Sequence, residues 1–420
     1  MSTATRDAAP LNGAELECFF CGTRRAPDLL PRCAACGGTL SVAGQGYAAP
    51  GADTGIARYR ASLPLDGEVV TLGEGGTPLL RLSRLFPDRP VWAKLEFTNP
   101  TGSFKDRGSA VAVSAAKALG AEGIVCASTG NNAASVSAYA ARAGLPCIVT
   151  LGKGTPVAKV LQAKAHGAIT VEVAGDFSDA YRMAEEINRA DPAWANLTST
   201  YLNPYTTVAH STILYEVVEE IGAPEAVVVP VGAGPMLDGI VTGARRMQAA
   251  GRLETIPRPI GVQGAGCAPI ARAFAEGAEE VAAWGEVSGI PGSINDALRG
   301  YPEDGTRTLR LIRETAGAAV AVSDDEIRDA MRELGAREGI AAEPASAATL
   351  AALRRAPLGE LSGPVVLVIS GHALKDGPAQ PAAADPSIEL DTDTGPLEVI
   401  ERARSRFNAN EQAVQGPPDA

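Results

Sequence analysis

The residue of this chain best suited to chemistry is Lys105, in the stretch Asn99-Pro-Thr-Gly-Ser-Phe-Lys105-Asp-Arg-Gly108. An apolar, strand-like run from Val91 to Phe97 precedes it, and a helix-like run from Ser109 to Leu119 follows. A lysine between a Gly/Pro-punctuated turn and a helix start sits beside uncommitted N–H groups and a positive dipole end. That setting lowers its pKa, so that free amine is present at neutral pH to attack a carbonyl. A plain surface lysine at a helix start fits the same stretch, which alone does not separate the two.

Two further stretches bear on the choice. Gly123–Ala127 reads as a buried strand, followed by the polar turn Ser128-Thr129-Gly130-Asn131-Asn132 and a helix from Ala133. Ala226–Val231 reads as a second strand, followed by Gly232-Ala233-Gly234-Pro235-Met236 and another helix. Strand, small-residue loop and helix present N–H donors to an anion. One such loop is weak evidence; an activatable lysine, an asparagine loop and a phosphate loop in this order say more. Together they resemble the pyridoxal-phosphate enzymes of the tryptophan synthase β-type fold, and within that group the chain is similar to threonine synthase. The segments "RYRASLP", "LGEGGTPL", "NPTGSFKDRG", "STGNN", "AYAARAG", "NPY", "VPVGAG" and "SGHALKD" follow in the family's order. Cysteate synthases and threonine dehydratases share much of this set.

The resemblance implies roles position by position. Lys105 is the Schiff-base lysine and moves the Cα proton. Phe104 lies near the cofactor ring, and Asn131 bonds its 3′-oxygen. Ser128, Thr129, Gly130, Asn131 and Asn132 hold the substrate carboxylate. Gly232, Ala233, Gly234, Pro235 and Met236 wrap the 5′-phosphate, although Pro235 has no N–H to give. Ser370 meets the pyridine nitrogen with a hydroxyl, which does not force its protonation and so suits elimination and replacement. Thr206 and His210 complete the substrate-facing set. Here the chain departs from its family. Thr206 stands where an arginine is expected, Ser211 where a lysine is expected, and Ala233 where the loop has asparagine. Fewer charged donors predict a substrate other than O-phosphohomoserine, with a β- or γ-leaving group that is neutral or smaller. A genuine threonine synthase, a serine/threonine dehydratase and a cysteate synthase-like β-replacement enzyme are the alternatives. Glu74 and His372 are further acid–base candidates. Glu343, before Pro344, reads as a helix cap; Asp106 and Arg107 read as a pair or a cap.

Cys18-x-x-Cys21 and Cys33-x-x-Cys36, each followed by glycine, suit one tetrahedral metal, most simply structural zinc. Four protein ligands leave no open position for chemistry. Cys126, Cys147 and Cys267 read as core residues.

The elements that must carry these groups follow from composition and patterning. The chain has 420 residues, 45% hydrophobic and 20% charged, which are globular values with room for several domains. A net charge of −12 argues against nucleic acid and anionic membranes as partners. No apolar run reaches the ~18 residues of a membrane span, and no secretory pattern opens the chain. A cytoplasmic homodimer acting on a small amino-acid substrate is expected. Strands near 123–127, 146–151, 169–173, 226–231, 259–263, 318–322 and 364–369 alternate with helices of ten or more residues. This alternation predicts an α/β fold: two doubly wound parallel-sheet lobes with the cofactor between them, plus an N-terminal zinc-ribbon-like module. The expected division is a tail and ribbon at 1–48, a large cofactor-binding lobe at 49–110 and 208–385, a small mobile lobe at 111–207, and an arm at 386–420. Residues 1–13 are expected to lack structure, and 191–207 to be irregular.

Overall fold

The computed structural model describes residues 11–65, 67–128, 130–155, 157–175, 177–355, 361–379 and 399–405. The arm expected at 386–420 falls outside them, apart from a helical segment at 399–405. In chain order the strands are β1 (Glu15–Cys18), β2 (Arg24–Arg25), β3 (Leu40–Ala43), β4 (Leu79–Arg81), β5 (Val91–Lys94), β6 (Gly123–Ala127), β7 (Cys147–Gly152), β8 (Ile169–Val173), β9 (Trp194–Asn196), β10 (Ala226–Pro230), β11 (Arg258–Gly264), β12 (Ala318–Val322) and β13 (Val365–Val368). The helices are α1 (Lys105–Ala118), α2 (Asn131–Ala143), α3 (Val157–Ala165), α4 (Phe177–Ala190), α5 (Pro204–Ala209), α6 (Ser211–Ile221), α7 (Pro235–Ala249), α8 (Pro269–Ala275), α9 (Pro302–Glu314), α10 (Asp324–Glu338) and α11 (Pro344–Leu353).

Three sheets form. Strands β2-β1-β3 make a small antiparallel sheet around the four paired cysteines. Strands β8-β7-β6-β9 are all parallel. The third sheet runs β12-β11-β10-β13-β5-β4 and is parallel except at its edge, where β4 pairs antiparallel with β5. The expectation of wholly parallel lobes is corrected there: Leu79 returns beside Lys94 after a short connection, which only antiparallel pairing permits. Every residue of β6, β10 and β13 is buried, so these runs carry no polar alternation. Each fully buried valine of β10 contributes about 1.5–3 kcal/mol, so Val228→Asp would break this sheet.

Two expectations fail locally. Leu11 is buried and Asn12 donates to the carbonyls of Arg60 and Ala61, so the chain is packed from residue 11 rather than 14. The stretch 191–207 contains β9, whose Trp194 ring covers Gly123; a Cβ there would lie 2.6 Å from the indole. An edge strand of three residues is too short to show a period. None of the described helices is long and apolar enough to cross a membrane.

The loops after β5, β6, β10 and β13 gather at the carboxyl ends of the two parallel sheets, where such folds bind ligands. Two isolated bridges tie them: Ser103 to Gly371 and Ala342 to His372. They draw the lysine turn, the Ser370 turn and the start of α11 together.

Candidate active site

A cavity of about 1130 Å³ opens between these loops. It exceeds the usual range for a single drug-sized ligand and has room for a cofactor with a small substrate. Lys105, Phe104, Ser128, Gly130, Asn131, Asn132, Gly232, Ala233, Gly234, Pro235, Met236 and Ser370 all line it. Thr129 lies outside the described residues. Thr206 and His210 do not line the cavity, contrary to expectation. Both are buried behind α1: a Cβ on Gly108 would lie 2.6 Å from Thr206 Cγ2 and 3.3 Å from His210 Nε2. Ser211 is buried too, its hydroxyl donating to Val208 O. The loss of cations at 206 and 211 therefore says little about this cavity.

Lys105 opens α1 and donates to Ser199 Oγ at 2.5 Å. Burial lowers its amine to about 8, against the opposing pull of Glu343 and Asp296. Phe104 packs beside it, the amine 4.5 Å from the ring centroid. The turn is anchored by Phe104 N–H donating to Ser370 O at 2.9 Å. Asp106 and Arg107 serve separate purposes. Asp106 accepts from Thr101 N, Thr101 Oγ1 and Ser135 Oγ, whereas Arg107 lies fully buried between Glu96 and Glu216.

After β6, Ser128 Oγ accepts from Gly130 N and Ala133 N and so shapes the start of α2. Asn132 is turned away to Leu197 O. Asn131 donates to Glu343. Glu343 precedes Pro344 but makes no side-chain cap. Its carboxylate accepts from Asn131 Nδ2 and from Ser293 Oγ, which replaces the capping role expected of it. Burial raises its pKa, with Asn131 and Ser293 opposing. Asp296 is a further buried carboxyl group of the cavity wall, which Glu286 and Asp376 also line. Burial raises its pKa as well, and Leu298 N–H and Tyr301 Oη–H both donate to Oδ1. Glu343, Asp296 and Ser199 were missed in the sequence: a Glu-Pro helix start and two loop residues carry no spacing signal. Glu74 does not line the cavity; it accepts from Tyr139, Thr71 and Leu72 N–H and closes the Gly-rich turn. His372 does line it, edge-on to Phe97 at 5.1 Å.

The loop after β10 suits a phosphate. Gly232, Ala233 and Gly234 donate their N–H groups to no carbonyl among the described residues, and α7 begins at Pro235. Gly234 has φ 116°, and a Cβ there would meet Thr308 Oγ1 at 2.1 Å. That hydroxyl donates to Ala233 O at 2.6 Å. Ser370 Oγ lies 3.0 Å from Ser346 Oγ. A lysine amine, a free N–H cradle at a helix start and a neutral hydroxyl pair on one cavity fit pyridoxal phosphate.

In the N-terminal sheet, the Sγ atoms of Cys18, Cys21, Cys33 and Cys36 lie within 4.8 Å of one another, and none of the four is in a disulfide. Gly22 and Gly37 adopt φ of 69° and 73° and donate N–H to Cys18 O and Cys33 O, the tight turns their positions suggested.

The fold and this cavity define a pyridoxal-phosphate-dependent enzyme, and the chain belongs to that family: the sequence profile of the pyridoxal-phosphate dependent enzymes matches residues 70–371. Within the family it is threonine synthase-like. It is 35% identical over 380 residues to the threonine synthase of Methanosarcina acetivorans, covering 86% of this chain and 92% of that one. It is 37% identical over 331 residues to that of Mycobacterium leprae, covering 76% and 88%. Among solved structures, an L-serine ammonia-lyase from Rhizomucor miehei superposes with a TM-score of 0.62 at 23% identity, over 73% of this chain and 95% of that one. Maize serine racemase superposes at 0.61 and 18% identity, over 80% and 94%. These last two share the fold.

Proposed function

We propose that the enzyme removes or replaces a β- or γ-leaving group on a small amino acid, and that this group is a hydroxyl or ester rather than phosphate. Bound in the cavity, pyridoxal phosphate supplies an electron sink that makes the substrate Cα–H acidic. Lys105 holds the cofactor and then carries the Cα proton, its amine oriented by Ser199. The N–H groups of Gly232, Ala233, Gly234 and Met236 hold the phosphate, with no contribution from Pro235. Phe104, beside Lys105 on the cavity wall, would flank the ring. Asn131 would hold the ring oxygen, and Ser370, backed by Ser346, the ring nitrogen. The first turn of α2, from Gly130, receives the substrate carboxylate.

The observation that carries the choice of leaving group is the pair of buried carboxyl groups, Asp296 and Glu343, that share the cavity wall with Lys105. Burial raises the pKa of both, so each holds a proton more readily than an ordinary carboxylate. A departing hydroxide needs a proton, and a buried carboxylic acid gives one. A phosphate dianion needs cations instead. Among the described residues, the cations on the cavity wall besides Lys105 are Lys375, engaged by Thr101 O and Gln162 Oε1, and Arg299, engaged by Gly285 O.

A second reading, conversion of O-phosphohomoserine to threonine, is favoured by the names of the curated relatives. Steady-state assays with O-phosphohomoserine, O-acyl amino acids and free serine, threonine and homoserine separate the two. Turnover of hydroxy or O-acyl substrates alone supports the first reading; threonine formed from O-phosphohomoserine at an ordinary enzymatic rate sinks it.

A further inference from the structure

Helix α9 touches the cysteine cluster on one side and the phosphate loop on the other. Phe19 and Phe20 are the two residues between Cys18 and Cys21. Arg307 of α9 stacks over Phe19 at 4.8 Å and Arg310 over Phe20 at 5.5 Å. Arg307 also donates to Thr39 Oγ1, Leu40 O and Ser41 Oγ, just after the second cysteine pair. Arg32, next to Cys33, pairs with the buried Asp304 of α9 at 3.1 Å. Gly38 leaves the sulfurs their room: a Cβ there would lie 3.1 Å from Cys18 Sγ and 3.2 Å from Cys36 Sγ.

The opposite contacts of the same helix reach the cofactor's anion site. Thr308 Oγ1 donates to Ala233 O at 2.6 Å, and Arg307 Nε to Asp238 Oδ2 at 2.7 Å. Asp238 stands in the first turn of α7, the helix that the phosphate loop opens. A second route runs from Arg32 through Tyr181, which stacks on Tyr301 at 4.6 Å, to Asp296 on the cavity wall.

We propose that one zinc ion on the four thiolates sets the position of the phosphate loop through α9, so that metal occupancy governs cofactor affinity. Soft thiolate ligands in a closed tetrahedral set suit Zn(II) and leave the ion no catalytic position. With the ion in place, the Cys18–Cys21 and Cys33–Cys36 turns have one geometry. Phe19, Thr39, Leu40 and Ser41 then hold Arg307, and Thr308 holds the Ala233–Gly234 peptide by its carbonyl, which sets the direction of the Gly234 N–H. Without the ion, the four sulfurs carry no shared bond, and the backbone that grips Arg307 loses its anchor. The inference rests on the phosphate being seated at Gly232 to Met236.

Cofactor-free protein, zinc-loaded or stripped by a chelator under reducing conditions, is titrated with pyridoxal phosphate, and elemental analysis gives the metal content. About one zinc per chain is expected. Stripping should weaken pyridoxal phosphate binding by roughly tenfold, and zinc chloride should restore it. Arg307→Lys keeps a charge opposite Asp238 but loses the fork to Thr39, Leu40 and Ser41. In zinc-loaded form it should keep its metal and bind cofactor as weakly as the stripped protein. Gly234→Ala tests the seat itself, because its Cβ would strike Thr308. If Gly234→Ala weakens binding while stripping and Arg307→Lys leave it unchanged, the coupling through α9 is refuted and the phosphate seat stands. Normal affinity in Gly234→Ala overturns the seat and the coupling with it. Zinc-free protein that binds cofactor at full affinity overturns the coupling outright.

Discussion

Asn131 and Glu343 are 212 residues apart, and the amide of one donates to both carboxylate oxygens of the other, at 3.0 and 3.3 Å. The contact spans the start of α2, beside the β8-β7-β6-β9 sheet, and the start of α11, beside the larger sheet. Both residues line the cavity that holds Lys105. The contact also keeps a group expected to face the cofactor's 3′-oxygen on a carboxyl group that burial favours in its protonated form. Glu343→Ala should therefore leave the Asn131 amide unpaired. The expected result is cofactor binding weakened by several-fold, read by titration of the apoprotein, with secondary structure unchanged.

Lys105→Ala should fold and bind pyridoxal phosphate without a covalent link. The absorbance near ~410 nm that borohydride abolishes should be missing, and turnover should fall to background. Ser199→Ala removes only the hydrogen bond at Lys105 and should slow turnover by several-fold while the band remains. A band that survives in Lys105→Ala would reassign the lysine.

In the cofactor-free protein the Lys105 amine sits at about 8 instead of 10.5 because it is buried. Only the free amine attacks the cofactor aldehyde. The association rate should therefore climb about tenfold per pH unit below this value and level off above it. The stability sign follows from proton binding. Between about 8 and 10.5 the unfolded chain holds the proton and the folded chain does not, so apoprotein stability should rise with pH through this window. Stopped-flow association and denaturant melts read the two effects independently.

The place of Lys105 on the cavity was legible because its stretch combines a turn, a lysine and a helix start within ten residues. The free N–H cradle at Gly232–Gly234 was legible for the same local reason. What the chain withheld was long-range. Glu343 looks like a cap until the Ala342–His372 bridge carries it to the cavity, and Asp296 lies in a loop with no period at all. Thr206 and His210 misled because position in a motif does not say which face of α1 a residue meets. Gly108, with no side chain, lets both pack behind the lysine.

Arg107, one turn from the cavity, holds the scaffold. Its guanidinium forks to Glu96 at 2.7 and 2.8 Å and to Glu216 at 2.6 and 2.7 Å, all fully buried. Burial alone would raise Glu216, yet Arg107 and Lys94 hold it down at about 2. Its contribution is thus complete above the ordinary carboxylate range and is lost as pH falls toward 2. Arg107→Met strands the buried Glu96 carboxylate without a cation, leaves Glu216 with Lys94 alone at 2.8 Å, and should cost about 3–5 kcal/mol in a denaturant melt. A loss under 1 kcal/mol, on the scale of an exposed ion pair, would show that water reaches this cluster.

Asp296→Asn tests the choice of leaving group most directly. Tyr301 and Leu298 occupy Oδ1, which leaves Oδ2 as the atom available to a departing group. Asparagine keeps the size and an acceptor for those two donors but has no acidic proton. A free hydroxyl leaves as hydroxide unless an acid protonates it, so substrates such as serine or homoserine depend on that proton. An acetyl ester leaves as a stable carboxylate and does not. Turnover of free hydroxy amino acids should fall by roughly 10²–10⁴ in Asp296→Asn, while O-acetyl analogues lose less than about tenfold. Measured as kcat on both substrates in the same preparation, the ratio is insensitive to a general loss of folded protein. Equal losses on both substrates would mean that Asp296 only supports the wall beside Gly232, and the proton donor would have to be sought at Glu343 instead.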